Sequence, residues 1–367
     1  MNKENWDIQF IKPCRHAHET HRILTPAYTL QMAQAGYLVQ INLDNCSIQR
    51  MEDLTEAATV EDVERVGLLP LYRLLNDGKV ALSGIGVHEM PEWRVSTAQQ
   101  AYERFCRKFW PAHKDDTEAT QRPYDANAAE QRVTFTKLDD GSRLVFGCAY
   151  TAFLHIQNVK LNHSNLSPED QFSIYLHGMI SMIDMVSAFE LEIAKYAFWT
   201  LNKKEINQLP PTVKQRRKDI IENFAKPKST LEKCKSSAFD SALDLFWLSG
   251  ANVSDLKGDI EIAGKKLKID SWVGTNDHKL YRISRDIHSS PFEGSTMRRL
   301  ATTRENELVT SPYWMNVDAE SRELLRYRHE RGHSKIDNFL QRIDSSVKHL
   351  EKNIETFFAE QPNATAI

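Results

Sequence analysis

The sequence predicts an α/β protein in which a mostly parallel sheet is flanked by helices, interrupted by a large, mainly helical insertion and followed by a long C-terminal helix. Three observations predict this class. Apolar runs with the length of buried strands occur at 37–43, 79–87 and 269–277. Helical spacing of apolar residues fills much of the chain between them. The last such segment, 318–359, is far longer than an average globular helix.

A chain of 367 residues can form about two domains, or one domain that carries an insertion. The pattern predicts that the sheet-forming domain is divided along the chain, with its first half at 37–94 and its second half at 236–290. The predicted remainder consists of a helical lead-in at 1–36, an insertion of a hairpin plus helices at 95–235 and a helical C-terminal region at 291–367.

The first half begins with the run Tyr-Leu-Val-Gln-Ile-Asn-Leu at 37–43, which predicts a buried strand that ends at Asp44. Helical spacing covers 52–76 and stops at an Asn-Asp-Gly turn signal. The run at 79–87, Lys-Val-Ala-Leu-Ser-Gly-Ile-Gly-Val, predicts the second strand. Helical spacing resumes at 96–112.

The insertion is expected to contain a polar loop at 113–132 and then a hairpin at 132–160 that turns at Asp-Asp-Gly-Ser. A long helical region follows at 168–201, because Ser-Pro-Glu-Asp at its start supplies an N-cap, a proline at the first helical position and acidic first-turn residues. A further helix is predicted at 229–249, and the third buried strand comes after it at 269–277.

The C-terminal segment 318–359 predicts one long helix. Its apolar residues recur at alternating steps of four and three, the seven-residue repeat of a coiled-coil seam. They are Ile336, Leu340, Ile343, Val347, Leu350, Ile354 and Phe357. Such a stripe must be buried, on the chain's own core or against a second copy, and the length of the helix favours a homodimer through 318–359.

Acidic residues follow each of the three predicted strands: Asp44, Glu89 and Asp277. Because the carboxyl ends of parallel strands meet at one edge of a sheet, these acids are expected to converge. Carboxylate oxygens are the ligands that Mg²⁺ and Mn²⁺ prefer, and such cations assist phosphodiester hydrolysis. The sequence therefore predicts a metal-dependent hydrolytic site at this edge.

The sequence at 238–247 offers a fourth acid, since Asp240 and Asp244 stand one helical turn apart beside an apolar face. Asp240 is the first choice and Asp244 the reserve. Apolar positions of the same helix are Phe239, Ala242, Leu243 and Phe246. Four acids of the inserted helices could take the same role: Asp170, Asp184, Glu190 and Glu192.

These motifs, in this order, resemble those of the PIN-domain nucleases. The resemblance rests on Ile-Asn-Leu-Asp-Asn, Ser-Gly-Ile-Gly-Val-His-Glu, Val-Gly-Thr-Asn-Asp and the helix Ala-Phe-Asp-Ser-Ala-Leu-Asp, and covers 37–94 and 236–290. It implies a PIN-like parallel sheet. Its implied metal ligands are Asp44, Glu89, Asp240 and Asp277, with Asn45, Asp244, Thr275 and Asn276 in supporting positions.

The activity that the resemblance implies is an endoribonuclease-like, metal-dependent phosphodiesterase that cleaves RNA in preference to DNA. A toxin or a phage-defence effector is the expected setting. The net charge of −3 gives no global attraction to nucleic acid, so a substrate must be held locally, and the densest basic run is Lys214–Lys235.

Composition argues against several other classes. The absence of a long apolar run or a signal-like start predicts no membrane association and a cytoplasmic protein. The five cysteines lack any paired spacing, so neither a disulfide framework nor a thiolate zinc site is expected. No phosphate-binding loop motif occurs, and ATP dependence is not predicted.

Two further hypotheses stand beside the nuclease. His329-Glu330-x-x-His333 matches the zinc-peptidase motif, although its surroundings are charged and Gly332 weakens a helix there. The second hypothesis is a non-catalytic helical interaction protein, in which the acids are helix caps and surface charges. A cluster of Cys14, His16, His18 and His21 has a composition that suits transition metals but no recognised spacing.

Overall fold

In the computed structural model, the chain forms two compact units. The first contains Met1–Val133 and Phe246–Arg299, and the second contains Thr134–Leu245 and Leu300–Ile367. The residues that the structure describes are 6–12, 23–90, 92–110, 134–256, 259–262, 265–291, 298–302, 305–331 and 338–360. No helix in these ranges combines the length and the apolar character needed to cross a membrane.

A mixed sheet organises the first unit. Its strands are β1 (Gln9–Ile11), β2 (Tyr37–Leu43), β3 (Val80–Ser83), β4 (Asp259–Ile262) and β5 (Lys265–Thr275). The order is β1-β5-β2-β3, with β4 also paired to β5. Strand β2 is parallel to both β3 and β5, whereas β1 and β4 run antiparallel to β5. The α/β class is confirmed, and the sheet is parallel only at its centre. Two further short strands are β6 (Ile287–Pro291) and β7 (Arg298–Thr302).

Helices cover the central strands of this sheet. They are α1 (Pro26–Gln34), α2 (Asn45–Glu52), α3 (Val60–Arg65), α4 (Leu69–Asp77), α5 (Glu92–Phe109) and α12 (His278–Asp286), with a 3₁₀ turn at Ile85–Glu89. Val39, Ile41 and Leu43 of β2 are fully buried. They pack in one core with apolar residues of α2, α4 and α5, which explains why the sequence of this strand is an almost continuous apolar run.

Two predictions for the first unit need correction. The lead-in 1–36 is not purely helical, because Gln9–Ile11 forms a strand in antiparallel register with Val273–Thr275 of β5. The helix predicted over 52–76 is interrupted, since Gly67 adopts φ +78°, a left-handed conformation that ends a helix.

The second unit is helical. Its elements are α6 (Asp140–Asn162), α7 (Pro168–Ile183), α8 (Ala188–Phe198), α9 (Lys203–Gln208), α10 (Pro211–Ile220), α13 (Asn306–Val309), α14 (Pro312–Arg331) and α15 (Phe339–Glu360), with a 3₁₀ turn at Phe135–Lys137 and a π turn at Ile221–Ala225. Helix α11 (Leu231–Leu256) begins in this unit, and its residues from Phe246 onward belong to the first. Helix α6 is buried on almost every side between Tyr150 and Val159.

The hairpin predicted over 132–160 is wrong, because this segment forms α6. Asp139, expected in the hairpin turn, is the N-cap of that helix, and its carboxylate accepts a hydrogen bond from the backbone N–H of Ser142 at 3.0 Å. Asp-Asp-Gly-Ser therefore serves as a helix start, a role that Asp fills as readily as a turn. The start predicted at Ser167 is confirmed, since its hydroxyl accepts from the N–H of Asp170 at 3.1 Å.

The C-terminal apolar stripe is buried inside its own unit. The described part of 318–359 consists of two helices, α14 and α15, rather than one. Ile343, Val347, Leu350 and Ile354 are each at most 2% exposed, and α15 packs against α6 and α7. Gly147 of α6 permits the close approach, because a Cβ there would lie 2.7 Å from Ile343 Cδ1. The stripe is therefore not available to a second copy of the chain.

Glu190 of α8 gives the second unit a pH-dependent stability. Its side chain is buried, Oε2 has no hydrogen-bond partner among the described residues, and burial raises its pKa to about 7 from 4.5. The unfolded chain thus releases this proton at lower pH than the folded chain does. Raising the pH from 4.5 to 7 then favours unfolding, by on the order of 3 kcal/mol in total.

We expect Glu190→Gln to raise the melting temperature above pH 7 and to leave it nearly unchanged below pH 4.5. Thermal unfolding followed by circular dichroism across this range tests it. Glu355→Gln is the matched control, because Glu355 is an exposed acid of the same unit. Equal pH profiles for the wild type and Glu190→Gln would show that Glu190 does not carry the effect.

Candidate functional site

The parallel strands place three of the predicted acids at one edge of the sheet. Strand β2 ends at Leu43 and delivers Asp44, β5 ends at Thr275 and delivers Asp277, and β3 leads into the 3₁₀ turn that ends at Glu89. Since β2 lies between β5 and β3 and is parallel to both, the three connections leave the same carboxyl edge. This is the place where open α/β sheets bind their ligands.

Asp44 is the most deeply placed of these acids. It is 4% exposed, and Oδ1 accepts a hydrogen bond from the N–H of Ser47 at 2.9 Å, which caps α2. Thr275 donates its hydroxyl to Oδ2 of Asp44. Burial raises the pKa of Asp44 to about 6 from 3.8, and the nearby charge of Asp277 adds a smaller increase. The site thus holds a carboxyl whose charged form is poorly solvated.

Asp277 is linked to Asp44 through Thr275. The backbone N–H of Asp277 donates to the Thr275 hydroxyl oxygen at 2.8 Å, and that hydroxyl donates in turn to Asp44. Asp277 also caps α12, because its Oδ1 accepts from the N–H groups of Lys279 and Leu280 at 2.7 and 3.1 Å. Both acids are therefore N-caps of the helices that follow their strands.

Asn276 holds two backbone segments of the first unit together. Its Nδ2 donates to the backbone oxygens of Trp6 and Gly67, at 2.9 and 3.3 Å, so it holds the N-terminal segment against the turn at Gly67. Its Oδ1 is buried with no hydrogen-bond partner in the described part of the chain. Asn45, the other supporting residue, is the first residue of α2.

Glu89 lies on the 3₁₀ turn and accepts a hydrogen bond from Nε1 of Trp247, on the part of α11 that belongs to the first unit. The turn packs directly on the end of β2. A Cβ at Gly86 would lie 2.5 Å from the backbone carbon of Asp44 and from the carbonyl oxygen of Leu43, so only glycine permits this approach. No local sequence pattern points to Trp247, because its partner is distant along the chain.

The other predicted acids belong to the second unit. Asp240 and Asp244 lie on the part of α11 that precedes Phe246. Three of the four candidates from the inserted helices have side-chain partners within the second unit. Asp184 pairs with Arg331 at 2.7 Å and Glu192 with Lys195 at 3.7 Å, whereas Asp170 accepts the hydroxyl of Ser167 at 2.7 Å.

A divalent cation can be tested against this donor set. Among the described residues, no three or more His, Cys, Asp and Glu side chains are grouped to hold a metal ion. Mg²⁺, however, keeps several waters and binds proteins through one or two carboxylates. Asp44 and Asp277 supply that number, and a cation would offset the charge that their proximity and burial disfavour. The donor chemistry of the pair, two carboxylates, is that of a hydrated Mg²⁺ or Mn²⁺ site.

The zinc motif lies mostly beyond what the structure describes. Glu330, near the end of α14, pairs with Arg326 at 3.0 Å. The side chain of His329 and the whole of His333 are outside the described residues. The cluster of Cys14, His16, His18 and His21 is outside them as well.

Comparisons of the chain with protein-family models, with curated proteins and with solved structures give no significant match. The resemblance to PIN-domain nucleases thus rests on the motifs themselves.

Proposed function

We propose that the chain is a metal-dependent nuclease of the PIN-like kind, which hydrolyses phosphodiester bonds of RNA in preference to DNA. The observation that carries the proposal is the pair of acids at the carboxyl edge. Asp44 is buried at the end of the central strand. Asp277 follows the adjacent parallel strand, and its charge is close enough to add to the raised pKa of Asp44. A buried acid with a raised pKa, such as Asp44 at this edge, is typical of catalytic sites.

Asp44 and Asp277 would hold Mg²⁺ or Mn²⁺, which would supply positive charge to the phosphate during displacement. The hydroxyl of Thr275 donates a hydrogen bond to Asp44 and holds it in place. The N–H of Asp277 donates to the same hydroxyl oxygen and orients the Thr275 side chain. Glu89 lies on the adjacent connection and would be a further ligand of the cation.

The test is cleavage of single-stranded RNA and DNA of one sequence by the purified chain, with Mn²⁺, with Mg²⁺ and with EDTA. We expect RNA cleavage that needs a cation and stops with EDTA. Cleavage that persists in EDTA would show that the reaction needs no cation and takes place at another site. The absence of cleavage under every condition would contradict the proposal. Bound zinc with peptidase activity would instead support the motif at His329.

A non-catalytic helical interaction protein is the second candidate. The observation that favours it is that Asp44 and Asp277 already serve as helix N-caps, a structural role that needs no metal. It predicts that Mg²⁺ and Mn²⁺ leave the melting temperature unchanged. The nuclease proposal predicts that either cation raises it by binding the folded state.

The setting of the proposed nuclease is a toxin or phage-defence effector in the cytoplasm. A homodimer through 318–359 belongs to this proposal, but it would have to use faces of α14 and α15 other than the buried stripe. Light scattering on the intact chain gives its oligomeric state.

A further inference from the structure

We propose that Trp6 and His278 form a stacking platform for an unpaired base beside Asp277, which makes single-stranded nucleic acid the substrate class. The inference rests on the proposed function and specifies what the site binds. The two ring centroids are 4.2 Å apart, with planes inclined by 60°. His278 is the residue immediately after Asp277 and the first residue of α12.

The platform is exposed to solvent, although an indole ring is largely apolar and is usually buried. Trp6 is 46% exposed and His278 is partly exposed. The half-exposed indole ring of Trp6 is a natural partner for a base, because every base has a stacking face whatever its sequence. A duplex would bury those faces between its own base pairs. The platform therefore favours single strands.

The position of Trp6 is fixed by the backbone around it. Its carbonyl oxygen accepts the hydrogen bond from Asn276 at 2.9 Å, and the N–H of Ile8 donates to Gly67 at 2.7 Å. A Cβ at Gly67 would lie 2.3 Å from the same Trp6 oxygen, so glycine is required there. Asn276 lies next to Asp277, so the segment that carries the acid also holds the backbone of Trp6.

Cationic residues continue from the platform along α12. Arg282 and Arg285 follow His278 by four and seven residues, which places all three on one face of the helix. Guanidinium groups along a strand path bind phosphates, and aromatic rings bind the bases. The chain as a whole has a net charge of −3, so this local arrangement supplies the attraction that the composition does not.

Binding of a labelled short oligouridylate, measured by fluorescence anisotropy in EDTA so that metal-dependent cleavage is suppressed, tests the platform. Trp6→Ala is expected to weaken binding about tenfold or more, and Trp6→Phe to retain most of it. An abasic strand of equal length should bind the wild type and Trp6→Ala alike, because it keeps the phosphates and lacks the bases.

Trp93→Ala is the matched control. Trp93 is 50% exposed in the same unit, and the Arg94 guanidinium lies over its ring at 5.7 Å. We expect it to bind as the wild type does. Circular dichroism melts of each variant confirm that all of them are folded.

Wild-type binding by Trp6→Ala, or an equal loss of binding on the abasic strand, would overturn the platform. So would a wild-type chain that fails to bind the oligouridylate. The proposed nuclease is judged separately, by cleavage with Mn²⁺. If the chain shows the expected binding pattern but does not cleave, the platform is supported and the nuclease proposal is contradicted. If the chain cleaves RNA but Trp6→Ala binds as the wild type does, the nuclease is supported and the platform is contradicted.

Discussion

Asp44→Asn is expected to lower metal-dependent cleavage by at least about 100-fold and, in the absence of metal, to raise the melting temperature above pH 6. The activity falls because the change removes a charge proposed to bind the cation. The stability rises because Asn keeps the N-cap of α2 but carries no buried charge. A single substitution thus separates the chemistry at this position from its structural role.

The size of the stability effect follows from the pKa of Asp44. The unfolded chain ionises this group near 3.8 and the folded chain only at about 6, so raising the pH through this window favours unfolding. Above pH 6 the full cost applies, on the order of 3 kcal/mol. Below pH 3.8 the wild type and the variant should unfold at similar temperatures.

Cleavage assays and thermal melts with and without Mn²⁺ provide the measurements. Mn²⁺ should raise the melting temperature of the wild type and leave that of Asp44→Asn unchanged. Asp77→Asn is the control, because Asp77 is an exposed acid at the end of α4 in the same unit. Undiminished cleavage by Asp44→Asn would exclude this acid from the reaction. Asp277→Asn should also abolish cleavage.

Asp270→Ala is expected to cost about 3–5 kcal/mol, the largest loss of stability that we predict from one substitution. Asp270 is buried on β5, and its Oδ1 pairs with Lys12 Nζ at 2.8 Å. Its Oδ2 accepts hydrogen bonds from the Tyr28 hydroxyl at 2.9 Å and from Trp272 Nε1 at 2.8 Å. Removing the carboxylate deprives the buried ammonium of Lys12, the buried Trp272 Nε1–H and the half-buried Tyr28 hydroxyl of this acceptor.

Urea unfolding measures the loss as a fall in the midpoint, with Asp77→Ala as the exposed control. A second variant identifies its cause. Replacing both partners, as in Lys12→Met with Asp270→Leu, should recover part of the stability, because no unpaired charge is then buried. Should the double variant be no more stable than Asp270→Ala, the cost would come from Tyr28 and Trp272 rather than from Lys12.

The strand β2 could be predicted to the residue, because Val39, Ile41 and Leu43 of its apolar run are buried and Asp44 closes it. Strand β1 could not, since three residues carry no periodicity and their structure depends on pairing with β5. The hairpin prediction failed for a local reason. The same Asp-Asp-Gly-Ser sequence satisfies a turn and a helix cap, and only the packing of α6 decides between them.

The candidate site, like the fold, could be predicted from the sequence only in part. The sequence predicts that Asp44 and Asp277 lie at strand ends, and the parallel pairing of β2 with β5 brings these ends to one edge. It does not predict which acids serve as caps, nor that Trp247 contacts Glu89. Contacts of that kind depend on residues far apart along the chain, for which a single sequence contains no local pattern.

The pairing of β2 with β5 also constrains the order of folding during synthesis. Strand β2 leaves the ribosome long before Lys265–Thr275 does, since the whole of α6–α10 is made in between. At about 5–20 residues per second, its unpaired side stays open for about ten seconds or more. An apolar strand with a free edge invites pairing with other nascent chains. We therefore expect the yield of folded protein to depend on chaperones that cover this segment, and to rise when the stretch between the two strands is translated faster.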